Sequence, residues 1–180
     1  MAQWELRKGG FPGGSQPIGP LTILETVTDK NGMFHFSKWG PKYSSSGRMH
    51  NHDPQIILFK PYYKYKVLVN QWISSDLKDY QSVRKSDWND KTISLERVSE
   101  ITQKYGEHLY DLKTLLDNIL QYRQDTENCF WTQTPKILVA IHKLSVELDA
   151  RGIKMFGQKI FSIKDILSSK KCGNPEELLK

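Results

Sequence analysis

A chain of 180 residues, 38% of them hydrophobic, closes a core without help: at this size roughly 70% of the unfolded surface is buried on folding, and no metal or disulfide is required. The net charge of +6 does not make a nucleic-acid face. No basic run is longer than a pair, such as Lys170-Lys171, and the other cations are scattered among acids, as on a solvated surface; an anionic membrane or an acidic partner is also compatible with it. The longest apolar run, Ile137 to Ile141, is far shorter than the ~20 residues of a membrane span, and MAQWELRKGG lacks the apolar stretch of an export signal, so the chain as it stands is expected to remain in the cytoplasm.

Residues 1 to 8 alternate Ala2, Trp4 and Leu6 against Gln3, Glu5 and Arg7, the period of a half-buried strand. Gly9 to Gly19 carries five glycines with Pro12 and Pro17. It matches neither GxxxxGK[ST] nor GxGxxG before a helix, so it reads as a connector rather than a phosphate cradle. A strand is expected from Thr22 to Thr28, then a turn at Asp29-Lys30-Asn31-Gly32, then a returning strand Met33 to Phe36 with Phe34 and Phe36 on one face. A calcium loop is excluded there, because Phe34 and Gly40 stand where glycine and a bidentate glutamate are needed.

His50, His52 and Asp53 form the single cluster that resembles metal ligands. A structural zinc needs four ligands and no second cluster is near in sequence, so the stretch reads as a solvated loop opening the next strand; no metal or cofactor is assigned. Ile56 to Phe59 makes a short apolar strand, Tyr63 to Val69 an aromatic-rich extended one, and Lys91 to Arg97 a last strand with Ile93 and Leu95 sharing a face.

The period then changes. Val98, Ile101, Tyr105, Leu109, Leu112, Leu116 and Ile119 lie at spacings of three and four, an amphipathic helix of about 25 residues that Gly106 weakens. Its stripe is expected to pack on the protein itself rather than on a partner helix. A second helix opens at Thr134-Pro135, with Ile137, Ile141, Leu144 and Leu148 as its stripe and Gly152 at its end; His142 on it reads as a surface or satisfied histidine rather than a catalytic one. Ser162 to Asp165 and Asn174 to Glu177 resemble helix-capping signatures for two short turns. The fold class is therefore α+β: an antiparallel β domain over residues 1–97 followed by a helical appendage over 98–180. Cys129 and Cys172 are too far apart in sequence for a CxxC motif, and read alone they fit two free thiols as well as one disulfide. No serine sits in a GxSxG-type turn and no nucleophile–base pair stands out, so no enzyme is expected.

The stretch Glu25-Thr26-Val27-Thr28-Asp29-Lys30-Asn31-Gly32-Met33-Phe34-His35-Phe36 with Trp39-Gly40-Pro41 resembles the carboxypeptidase regulatory-like modules, as does Asp53-Pro54 with Ile57-Leu58-Phe59-Lys60-Pro61-Tyr62-Tyr63. Tyr62 stands where that family usually has glycine. Trp4, Leu6, Ser86-Asp87-Trp88-Asn89 and the regions of Cys129 and Cys172 are similar to an uncharacterised bacterial branch. The resemblance implies a transthyretin-like β-sandwich that binds or spaces rather than catalyses. Such modules open with a strand that this chain lacks, which implies an open sheet edge beside Trp4 and Leu6 and an N-terminally shortened form of an exported protein. Export in turn favours a Cys129–Cys172 disulfide.

The expected function is a non-enzymatic binding or structural module of the bacterial envelope or periplasm, with a protein or small ligand as its partner and no nucleic acid. The runner-up is an intracellular interaction protein of the inhibitor or immunity type, docking through an open sheet edge or a helix stripe. A hydrolase using His50, His52 and Asp53 stands third, and elemental analysis separates it from the other two. Neither the partner nor the oligomeric state is written in the residues.

Overall fold

The computed structural model describes residues 1–9, 14–38, 47–49, 53–73, 83–85, 88–120, 129–166 and 170–180; for residues 71–73, 83–85 and 170 it describes the backbone alone. The protein is α+β, and its chain falls into two compact units. Residues 1–58 and 66–94 form the first, and residues 59–65 and 95–180 form the second.

The first unit is built on a five-stranded antiparallel sheet of order β2-β1-β4-β5, with β3 also on β1. The strands are β1 (Ala2–Gly9), β2 (Ser15–Leu24), β3 (Arg48–Met49), β4 (Gln55–Leu58) and β5 (Lys66–Val69). A separate two-stranded ladder joins β6 (Gln71–Ile73) to β7 (Val83–Lys85). The alternation of residues 1 to 8 produces β1 as expected. Cross-strand partners share a face, so Leu24, Ala2, Ile56 and Leu68 lie on one side of the sheet. Ile23, Gln3, Gln55 and Val69 lie on the other side, together with Ile57 and Val67. Ala2 and Ile56 on the first face, and Ile23 and Ile57 on the second, are all buried, so both faces of the sheet are covered at β1, β2 and β4, while Val67 and Val69 of β5 are exposed on the second.

Several expected elements differ. β2 runs through Pro17, Gly19 and Pro20, residues that read as a connector in the sequence. It does so as an outer strand with two register shifts, between Trp4 and Glu5 and between Leu6 and Arg7. Bulges of this kind let prolines, which cannot donate to a ladder, sit in a sheet. The turn at Asp29 to Gly32 is present. Asp29 Oδ1 accepts from the Asn31 and Met33 amides at 2.8 and 2.9 Å, and Asp29 N donates to Met33 O at 2.8 Å. The residues on either side of the turn enter no ladder, so the expected strands Thr22–Thr28 and Met33–Phe36 are not both formed, although the rings of Phe34 and Phe36 do meet edge to face at 5.7 Å. Lys91–Arg97 forms no strand beyond a single bridge from Arg97 to Tyr63.

Trp4 and Leu6, expected at an open edge, are corrected to the sheet interior. β1 pairs with β2 on one side and with β4 and β3 on the other. Between β4 and β3 the ladder is completed by a side chain: Asp53, only 3% exposed, accepts the Glu5 amide on Oδ2 at 2.8 Å, and its own carbonyl accepts from Asn70 Nδ2 at 3.0 Å. Asp53→Ala leaves the Glu5 amide without that acceptor and is expected to cost about 1–3 kcal/mol, with Asp53→Asn milder because an oxygen acceptor remains. Urea unfolding of the two variants beside the parent protein measures the difference.

The second unit holds α1 (Gln103–Leu120) and α2 (Pro135–Ala150). The stripes foreseen for both helices are buried: Tyr105, Leu109, Leu112, Leu116 and Ile119 on α1, and Ile137, Ile141, Leu144 and Leu148 on α2. Helix α1 starts five residues later than its periodicity suggests. The Val98 amide donates to Tyr62 O at 2.9 Å, and Lys64 N donates to Glu96 O at 2.9 Å, which ties this stretch to residues 62–64. Pro135 sits at the first turn of α2 as expected, but Thr134 does not cap it by side chain; its hydroxyl turns back to Trp131 O at 3.3 Å. Gly152, at φ 77, ends the helix. The Gly152 amide bonds Asp149 O and the Ile153 amide bonds Leu148 O, the pair of bonds that a left-handed residue past a C-cap permits. Helix α2 also secures the chain that follows it: Ser145 Oγ accepts the Phe161 amide at 2.9 Å and His142 Nδ1 the Ile163 amide at 3.3 Å. The sulfurs of Cys129 and Cys172 are bonded, closing the segment that contains α2.

Candidate functional site

Among the described strands of the first unit, β5 has an open outer side. Its inner side follows from the neighbouring ladder. Ile57 exchanges both of its backbone bonds with Met1, at 2.8 and 3.0 Å, so Ile57 faces β1 while Ile56 and Leu58 face β5. Their register partners Leu68 and Lys66 therefore bond β4. The alternate residues, Val67 and Val69, direct N–H and C=O outward, where no described strand pairs with them. The two residues are 38% and 52% exposed, with their side chains on the same face. The other outer strand, β2, is blunted by Pro17, Pro20 and two bulges. Strand β5 contains no proline and no bulge.

In the second unit the groups with chemical potential are engaged in holding residues 59–65. Tyr62 takes the left-handed backbone, φ 68. Its amide donates to Tyr105 Oη at 2.8 Å and its phenol donates to Glu147 Oε2, which also pairs through Oε1 with Arg151 at 2.6 Å. The hydrogen bond to Glu147 raises the Tyr62 phenol above its ordinary value, so it stays protonated. His108 Nε2 accepts the Tyr65 amide at 2.9 Å, with the two rings 4.4 Å apart. A histidine whose nitrogen accepts in this way is neutral, and burial lowers its pKa against the opposing pull of Asp111. Burial likewise lowers His142, whose Nδ1 is occupied by the Ile163 amide. One small cavity lies among Leu116, Leu120, Leu138, Ile141, Phe161 and Ile166, with about 10 Å3 of free space, room for one water and no substrate.

The sequence-level candidates fare unequally. His50 and His52 lie outside the described residues; Asp53 is a ladder-completing acceptor, and the described residues contain no group of three metal-ligating side chains. Cys129 and Cys172 are brought together, with Cα atoms 5.3 Å apart. Trp4 and Leu6 are replaced at the open edge by Val67 and Val69, which sequence reasoning missed: KVLV shows an apolar strand but not its place in the strand order.

The folded protein is expected to lose stability in acid. His108, His142 and the Met1 amine all have lowered pKa values; burial takes the amine from 8.0 to about 6. For a base held neutral in the fold, stability is full above the unfolded pKa and is lost as pH falls through the folded one. In a chain starting at Met1, the amine contributes about 2–3 kcal/mol between pH 8 and pH 6. The histidines contribute below their ordinary value of 6.5. Urea midpoints should rise steadily from pH 5 to pH 8; a flat profile contradicts the assignment.

No family model matches the chain, and comparison with curated proteins and with solved structures gives no match. No described helix is long and apolar enough to cross a membrane.

Proposed function

We propose that this protein is a non-enzymatic binding module of a bacterial envelope protein, a β-sandwich of the carboxypeptidase regulatory-like kind with a helical unit attached, and that it takes an extended segment of its partner along β5. The observation that carries this reading is the outward-facing backbone of Val67 and Val69 on an outer strand with no proline or bulge. Strand addition supplies affinity through main-chain bonds, and the exposed valines add an apolar contact on one face. The burial of both sheet faces at β1, β2 and β4 supports a sandwich, and the Cys129–Cys172 bond supports an oxidising compartment. The intracellular runner-up keeps its sheet edge but loses its helix stripe, since both stripes are buried.

The test places a photocrosslinking residue at Val69 in cells, with and without Val67→Pro. That proline removes an outward N–H and no bond to β4, so the sheet persists while strand addition does not. A discrete adduct that Val67→Pro abolishes supports the reading. Adducts no different from those of a crosslinker at Val146, exposed on α2, overturn it.

A further inference from the structure

The turn after α2 presents an aromatic side chain at a cost in backbone strain. Met155 and Gln158 exchange both backbone hydrogen bonds, at 3.0 and 2.9 Å, leaving Phe156 and Gly157 as a two-residue loop. Their φ values are 51 and 74, the signature of a type I′ turn, in which asparagine or glycine is normal at the first position. A bulky L-residue there costs on the order of 1–2 kcal/mol. Phe156 does not recover this by burial, because it is 83% exposed. The turn is nevertheless braced. Gln103 Nε2 donates to Lys154 O at 2.7 Å and reaches Met155 Sδ at 3.4 Å, and the Tyr110 ring meets Phe156 edge to face at 5.6 Å.

The charges around it leave one positive charge in excess, three cations against the carboxylates of Glu147 and Asp149. From residue 151 to residue 159 the chain reads RGIKMFGQK, three cations and no acid. Arg151 pairs with Glu147, while Lys154 and Lys159 share the single carboxylate of Asp149, at 3.3 and 3.7 Å. An apolar tip with cations at its foot has the order of an anionic bilayer surface, where headgroup phosphates lie above acyl chains.

We propose that the Met155–Gln158 turn is a peripheral membrane contact: Phe156 enters the acyl boundary and Arg151, Lys154 and Lys159 meet anionic headgroups. The site is independent of β5 and stands or falls separately from it. One aromatic and a few cations give a weak, reversible contact, of the two-signal kind that neither element achieves alone.

The full chain is titrated with vesicles of phosphatidylglycerol and phosphatidylcholine in equal parts, and with pure phosphatidylcholine vesicles, and binding is read by flotation. Binding to the anionic vesicles alone is expected, weakened about tenfold or more in Phe156→Gly, and abolished in Lys154→Glu/Lys159→Glu. Phe156→Gly should melt no lower than the parent, since glycine relieves the left-handed strain; this separates lost binding from lost folding. Failure to float with anionic vesicles overturns the proposal, as does Phe156→Gly floating like the parent, which would leave charge alone at work. A turn that instead serves a protein pocket gives the first of these negative results.

Discussion

Gly106→Leu should lower folding stability by about 3 kcal/mol or more, and Gly106→Ala should lower it by about 1 kcal/mol, although alanine is the better helix former. The reason is the closeness of α1 to the chain that follows α2. A Cβ built on Gly106 would lie 2.6 Å from Ile153 Cγ2 and 3.3 Å from Ile160 Cδ1. Ile153 cannot swing aside cheaply: the contacting atom is a branch methyl of a β-branched side chain with few χ1 choices, and both isoleucines are buried. Alanine therefore trades about 1 kcal/mol of helix propensity against an overpacking penalty of about 1–3 kcal/mol. Urea denaturation of the two variants is the measurement. A stabilised Gly106→Ala would show that Ile153 yields freely and that the close approach is not a constraint.

Breaking the Cys129–Cys172 bond should be the most costly change outside the core. The bond spans a sequence separation of 43 residues, and closing a loop of that length restricts the unfolded chain by about 4 kcal/mol. The loop contains all of α2 and both of the side-chain anchors, Ser145 and His142, that fix residues 161–163. It also ends near the C-terminal turn, where Asn174 caps through its side chain, Pro175 is buried and Glu176 pairs with Lys164 at 3.0 Å. Cys129→Ser/Cys172→Ser should thus lower the urea midpoint by an amount matching about 4 kcal/mol. Reductant should reproduce the shift in the parent protein and have no effect on the double variant. A parent protein insensitive to reductant contradicts the assignment.

Helices were the most legible elements, because burial on one face repeats along the chain: the stripe from Tyr105 to Ile119 and the stripe from Ile137 to Leu148 are both buried as read. What periodicity could not show was competition for the backbone. Val98 and Ile101 continue the helical spacing, yet the Val98 amide is taken by Tyr62 O, a partner 36 positions away by residue number. Strand β1 was visible in its alternation, but its neighbours were not. Strand β2 was hidden by prolines that only an outer, bulged strand tolerates, and the phenylalanines of residues 33–36 keep strand spacing without a ladder. Gly106 looked like a weak point in a helix and is instead a place where another segment comes close. The open edge was misplaced for a related reason: Asp53, read as a loop residue beside two histidines, completes the ladder of β1, while KVLV reveals nothing of its strand order. Phe156 gave little signal, since a two-residue turn is recognised by Asn-Gly or Asp-Gly and Phe-Gly hides it.

The central claim is that β5 offers a free backbone edge, and amide hydrogen exchange resolved to single residues tests it most directly. Lys66 and Leu68, bonded to β4, should exchange slowly, and Val67 and Val69, directed outward, should exchange fast, giving an alternation along four consecutive residues. Uniform protection across Lys66 to Val69 would mean that the edge is already covered in the free protein, and β5 could not then be the docking strand.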